Sequence, residues 1–332
     1  MKHKNSLDKF RNSGGGADIG TKEDGAIVET FKNGNRLIII KEKSVYEFQL
    51  ADDIDPERKH PNLPWSTHKL LLNIGSNSEL FTKIFMTAKS LFTSSFVSID
   101  VNVEKALNLT LEVIQEFNVL DEEIKDYIET ENLVIKHYEE NKGNGSHSVP
   151  SIPNLITRCK TIFQKIDHIC QIQMELIREF FPEFTKGYYT QLCGFMHSTY
   201  GDDDLTTKFF DRILPQIQLT RNIRNCLDHR KKEITILNFE LQTTLNINTP
   251  TIEMEDNGSK LDKVDLSSFL LNTFNKLVEM YEVVMPHLCS KRISSRTIIP
   301  VEVTLIPEDK RRNINMRFGY WSPLGDGGYY HQ

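Results

Sequence analysis

The chain has 332 residues, a net charge of −6, 39% hydrophobic and 26% charged residues, the make-up of a soluble globular protein of two or three domains. An acidic balance excludes a surface that attracts nucleic acid everywhere, so a polyanion would need a local basic patch. No apolar run approaches the ~20 residues of a membrane span, and the polar, Gly-rich start lacks the apolar core of a secretory signal, so no membrane and a cytoplasmic location are expected.

Residues 1–24 read as a flexible tail. In the expected N-terminal α+β region, 25–145, AIVETF, KNGN and RLIII form a β-hairpin in which Asn33-Gly34 supplies the positive φ angles of a type I′ turn. VYEFQL adds a third strand. Asp52, Asp53, Asp55 and Glu57 then stand among prolines and charges, which reads as an ordered, solvated connector in preference to a metal site. Helices are expected over 65–74, 78–95, 103–118 and 121–141.

NKGNGSHSVPSIP (141–153) is the expected domain boundary. Beyond it a helix over 154–181 ends before Pro182, and a shorter one covers 183–199. Cys193 and His197 have the i, i+4 spacing of two metal ligands, but no second pair accompanies them, and no metal or other cofactor is expected. The five cysteines, Cys159, Cys170, Cys193, Cys226 and Cys289, are single and odd in number, as in a reducing compartment. Asp202 to Asp204 read as an N-cap and dipole complement for the next helix.

That helix, from Thr206 to His229, carries Phe209, Phe210, Ile213, Leu214, Ile217, Ile223 and Leu227 at mostly three- and four-residue steps. It ends in RNIRNCLDHRKK, residues 221–232. On a helix Arg221, Asn225 and His229 share a face, whereas Arg224 lies roughly 140° from His229. Contact between Arg224 and His229 therefore needs a break before His229 or a second copy of the chain. The residue types suit phosphate chemistry: Arg offers a planar fork of donors, His moves protons near neutral pH, and Asn orients a ring or an oxygen. Basic residues at a helix end also complement the helix dipole, and capping or plain phosphate contact is the alternative.

After the helix, 233–255 alternates as a β insertion, and a further amphipathic helix is expected over 262–288. The segment 296–321 reads as a closing β-hairpin, and GDGGYYHQ as a frayed end. In the hairpin Lys310, Arg311, Arg312 and Arg317 stand beside Phe318, Tyr320 and Trp321, either to hold single-stranded RNA or to pack on the helices.

Arg224-Asn225-x-x-x-His229 at the end of a long amphipathic helix resembles the active-site motif of the HEPN superfamily of all-helical ribonucleases. The resemblance covers about 151–290; the β insertion and the N-terminal half depart from a minimal HEPN domain. It implies a HEPN-like four-helix bundle; with the strands and helices read above, the expected fold is α+β but predominantly helical, the bundle carrying β-hairpin additions and preceded by a small sheet and helices. The resemblance further implies a metal-independent endoribonuclease that leaves 2′,3′-cyclic phosphate ends, in a toxin–antitoxin or phage-defence setting. Arg224 and His229 would be the catalytic pair and Asn225 the polar residue beside the arginine, with Arg221, Arg230 and Lys231 contacting RNA. A homodimer with a composite site, and an antitoxin or regulatory partner, follow from the same resemblance. Asp167 or Glu175 would be the acidic residue that completes some such sites. A non-catalytic HEPN-like module that binds nucleotide, RNA or protein is the rival reading.

Overall fold

The computed structural model describes residues 2–13, 16–141, 148–244, 246–294, 299–324 and 328–330. It is an α+β fold in which helices predominate. The chain opens with helix α1 (Lys2–Asn12), then strands β1 (Ile27–Asn33), β2 (Arg36–Lys41) and β3 (Val45–Leu50), the short helix α2 (Ala51–Ile54) and strand β4 (Ser66–Leu72). The four strands pair antiparallel in chain order. β2 is apolar on both faces because both are covered: Ile38 and Ile40 enter the main core, and Ile39 packs with Ile19 and Tyr46.

Part of the expected flexible tail is therefore structure. Ile19 is buried on the sheet, and the buried Lys41 donates from Nζ to the carbonyls of Ile19 and Thr21 at 2.9 and 2.7 Å. The turn between β1 and β2 also departs from expectation. Asn33 pairs with Arg36, and of the two turn residues only Gly34 has positive φ, at +57°, as in a type II′ turn and not a type I′ turn. The stretch expected as a helix over 65–74 is strand β4, since pairing with the exposed edge of β3 outweighs the helix propensity of its leucines.

The acidic group before β4 serves arginines. Arg11 of α1 donates to Asp52 Oδ1, Asp55 Oδ2 and the carbonyls of Asp55 and His60. Arg58 binds Asp8 and Asp52, Asp53 caps α2 through the Leu50 N–H, and Glu57 pairs with Lys59. This network fastens α1 to the connector.

Helices α3 (Glu79–Phe81) and α4 (Thr87–Leu91) flank a π-helical turn, Thr82–Met86. One helix, α5 (Val103–Asn141), replaces the two expected over 103–118 and 121–141. At the junction of those two expected helices the Asn118 amide donates to Asn73 and Glu122. Then come α6 (Leu155–Phe180), α7 (Tyr189–Tyr200), α8 (Leu205–His229) and α9 (Leu266–Lys291). α6 packs on α5, α8 and α9, and α7 lies against α8. A single hydrophobic core runs from Ile38 to Tyr320, so α5 shares its apolar face with the helices beyond the expected boundary. Residues 142–147 of that boundary lie outside the described residues.

The β insertion is longer than 233–255. It comprises β5 (Ile234–Leu237), β6 (Glu240–Leu241), β7 (Ile247–Asn248), β8 (Thr251–Asp256) and β9 (Ser259–Asp265), with sheet order β5-β8-β9 and a separate β6-β7 pair. Asn257 and Gly258, both at positive φ, form the tight turn between β8 and β9. The C-terminal strands β10 (Glu302–Leu305), β11 (Phe318–Ser322) and β12 (Gly328–Tyr330) make three strands where a hairpin was expected. Residues 296–298 of that expected hairpin, and 325–327 and 331–332 of the expected frayed end, lie outside the described residues.

Candidate functional site

Helix α8 positions the motif. Asp204 is its N-cap, accepting from the Thr206 and Thr207 N–H groups at 2.9 and 3.2 Å. Burial pushes the Asp204 carboxyl up, but Lys291 and the two backbone donors leave it below the usual range. The other two aspartates are engaged elsewhere, Asp203 with Lys208 and Asp202 with His197. Pro215 interrupts the backbone ladder without ending the helix. α8 runs unbroken through His229 and stops at Arg230, whose φ of +51° is left-handed.

Because the helix does not break before His229, one chain does not bring Arg224 and His229 together. They stay on flanks of α8 about 140° apart. His229 is exposed and makes no hydrogen bond or ion pair among the described residues. Arg224 faces α6. Its Nε lies 3.0 Å from Asp228 Oδ2 and 3.7 Å from Asp167 Oδ2, with no aligned hydrogen bond from that nitrogen. Its Nη1 donates to Asn225 Oδ1 at 3.0 Å, and Nη2 makes no hydrogen bond among the described residues. Asn225 thus orients the guanidinium, and Asp167 is the one of the two acidic candidates that reaches it. Glu175 is exposed two turns along α6, with no ion pair among the described residues.

Sequence reading missed the rest of this seam. Asp228 accepts from Lys160 Nζ and Gln164 Nε2, both at 3.0 Å; those two donors and the Arg224 charge hold its carboxyl below the usual range. Gln171 donates to Asp167 at 2.7 Å. Lys160, Gln164, Asp167 and Gln171 recur at helical steps between the buried positions of α6, and that polar stripe was the available signal.

Arg221 is exposed and sits over the ring of Tyr188 at 4.8 Å. Arg230 is exposed at the helix end. Lys231, expected to meet RNA, is tied to Asp256 of β8 at 3.1 Å, a bond that raises its ammonium above the usual range. Three of the C-terminal basic and aromatic side chains are spent inside the fold. Arg317 binds Glu282 through two bonds, Arg311 donates to the carbonyls of Ile306 and Ile314, and Tyr320 is buried with its hydroxyl on the Leu91 carbonyl.

His197 holds Asp202 on Nδ1 at 2.7 Å and Asp211 on Nε2 at 2.9 Å, and these carboxylates raise it above its ordinary value. Both ring nitrogens are thereby occupied. Burial pushes the neighbouring Cys193 thiol up to about 11. Among the described residues no cluster of three or more His, Cys, Asp or Glu side chains is arranged to hold a metal ion, and no helix is long and apolar enough to cross a membrane.

Compared with known proteins, the chain matches no family model, no curated protein and no solved structure. The functional reading therefore rests on the chemistry of the α8 terminus and on the motif itself.

Proposed function

We propose that the chain is a metal-independent endoribonuclease of HEPN type, with a bundle of that kind formed by α6 to α9. The observation that carries this is the end of α8, where Arg224 keeps an uncommitted Nη2 and His229 an uncommitted ring. In the reaction His229 takes the proton of a ribose 2′-hydroxyl or gives one to the leaving 5′-oxygen. The 2′-oxygen bonds to phosphorus as the bond from phosphorus to the 5′-oxygen breaks, leaving a 2′,3′-cyclic phosphate and a 5′-hydroxyl. Arg224 binds the developing charge, and Asn225 fixes its plane.

The two groups meet across a homodimer, because an unbroken α8 holds them apart within one chain. Arg221 and Arg230 guide the RNA backbone, and Lys231 joins them by exchanging Asp256 for phosphate. A toxin–antitoxin or antiviral setting, with an antitoxin or regulatory partner, follows from the motif's resemblance alone.

The test is cleavage of total RNA and tRNA in EDTA by wild type, Arg224→Ala, His229→Ala and an equimolar mixture of the two variants. Each single variant is expected to lose about 10²- to 10⁴-fold. The mixture should recover part of the activity, since a mixed dimer rebuilds one intact site. Equal cleavage by all samples, or inactive variants with no recovery on mixing, would respectively remove the catalytic pair or the composite site.

One observation favours a second reading, a phosphate-binding module without catalysis. Arg224 is held between Asp167 and Asp228 on the α6 side, away from His229. On that reading wild type binds RNA and never cuts it.

A further inference from the structure

Two consecutive tyrosines at the start of α7 are treated in opposite ways. Tyr189 is buried, and its hydroxyl donates to Gln173 Oε1 at 2.6 Å and reaches the Cys170 carbonyl at 3.1 Å. That anchors the helix start on α6. Tyr188, next to it, is 52% exposed; among the described residues only it and Phe10 are exposed aromatic side chains. Its hydroxyl makes no hydrogen bond among the described residues. Among the described residues its one ring partner is the Arg221 guanidinium, 4.8 Å from the ring centroid. The half-exposed ring thus presents apolar surface to solvent beside a cation.

The position relates this ring to the motif. Arg221 precedes Arg224 by three residues on α8, and so by about one turn. Tyr188 is therefore in contact with the side chain that lies one helical turn before Arg224 on α8, and Tyr189 anchors the backbone beside it. An aromatic ring backed by a guanidinium, with half its surface open, suits a nucleobase: the base stacks on the ring, and the arginine covers the stack and reaches the backbone.

The geometry points to Tyr188 and Arg221 as a stacking subsite for an unpaired base of single-stranded RNA, beside the phosphate bound at Arg224; this rests on the ribonuclease reading above. Stacking uses the face of the base and not its edges, so the subsite tolerates all four bases. It requires an unstacked strand, which directs the enzyme to loops and single-stranded stretches.

The experiment uses the full-length chain and a fluorescein-labelled oligouridylate methylated at every 2′-oxygen. That probe binds as RNA but lacks the nucleophile, so binding is read apart from cleavage. Anisotropy titrations compare wild type, Tyr188→Phe, Tyr188→Ala and Arg221→Gln. Expected are near-wild-type affinity for Tyr188→Phe and about tenfold or greater weakening for Tyr188→Ala. Arg221→Gln should weaken binding and reduce the salt slope by about one. Equal affinity for wild type and Tyr188→Ala overturns the subsite and leaves the ribonuclease standing. No binding by wild type also overturns it; a parallel digestion of unmodified oligouridylate by wild type and Arg224→Ala then shows whether the ribonuclease reading falls too.

Discussion

Two arginine–carboxylate clusters in this chain differ in what they leave free. Arg11 has 1% of its side chain exposed and is bound by Asp52, Asp55 and two carbonyls. Arg224 is 33% exposed, engages Asp228, Asp167 and Asn225, and keeps Nη2 uncommitted. A buried guanidinium whose two Nη groups are both bound within its own chain is a fastener. One that is oriented but incompletely bound, at a helix end lined by other cations, is ready for an anion from outside.

The largest effect expected from breaking this contrast is on stability. Arg11→Ala leaves Asp52 and Asp55 without their buried partner and should lower Tm by on the order of 5 °C, with α1 losing amide protection. Arg224→Ala should shift Tm far less while, on the ribonuclease reading, cutting cleavage by about 10²- to 10⁴-fold. If the order of the two melting temperatures is reversed, the assignment of fastener and site is reversed with it. The pH dependence of the first cluster follows from Asp55. The His60 and Lys59 N–H groups and Arg11 lower its carboxyl to about 2. A folded-state value below the unfolded one gives stability that is present above about pH 4 and is lost as pH falls toward 2. Protection of α1 measured by hydrogen exchange should decline over that window.

A carboxyl with no arginine at all sharpens the comparison. Glu131 of α5 is buried, and among the described residues neither its Oε2 nor the hydroxyl of nearby Tyr127 has a hydrogen-bond partner; Asp265, just before α9, is also close. Burial, and then the Asp265 charge, push its carboxyl up. Here the folded-state value lies above the unfolded one, so the group's contribution is intact below about pH 4 and is lost as pH rises. Glu131→Gln should therefore raise Tm at neutral pH, with the gain disappearing near pH 4. A gain independent of pH would show that charge is not the cause.

On the ribonuclease reading, Asp228 competes with phosphate for Arg224. Asp228→Asn should tighten oligonucleotide binding a few-fold, as a repelling charge leaves and Arg224 is released. Weaker binding would instead make Asp228 the residue that aims the arginine.

How much of this was legible in the sequence follows the range of the interactions. The motif helix was readable because its apolar spacing, its aspartate cap and its basic end are all local. The 39-residue length of α5 was not: at the junction of the two expected helices Asn118 is held by Asn73, far away in sequence. Strand β4 was lost for the same reason: only the edge of β3 makes Ser66–Leu72 extended. At the site, the face shared by Arg221, Asn225 and His229 was readable from helical geometry. The seam of Lys160, Gln164 and Asp167 against Asp228 needed the pairing of α6 with α8, which no single helix reveals.

The smallest effect expected is at Arg230, and it tests whether the end of α8 is shaped for stability or for an anion. At φ +51° an L side chain sits where glycine is the ordinary helix terminator. Arg230→Gly removes that strain, partly offset by the greater freedom of an unfolded glycine, for a net gain of ~0.5 kcal/mol. On the ribonuclease reading the same change should weaken oligonucleotide binding and reduce its salt slope by about one, because an exposed guanidinium leaves the backbone path. A higher Tm with weaker binding would mean that the strain at Arg230 is maintained for the ligand. A higher Tm with unchanged binding would confine the anion to Arg221 and Arg224 and leave Arg230 as a poor cap.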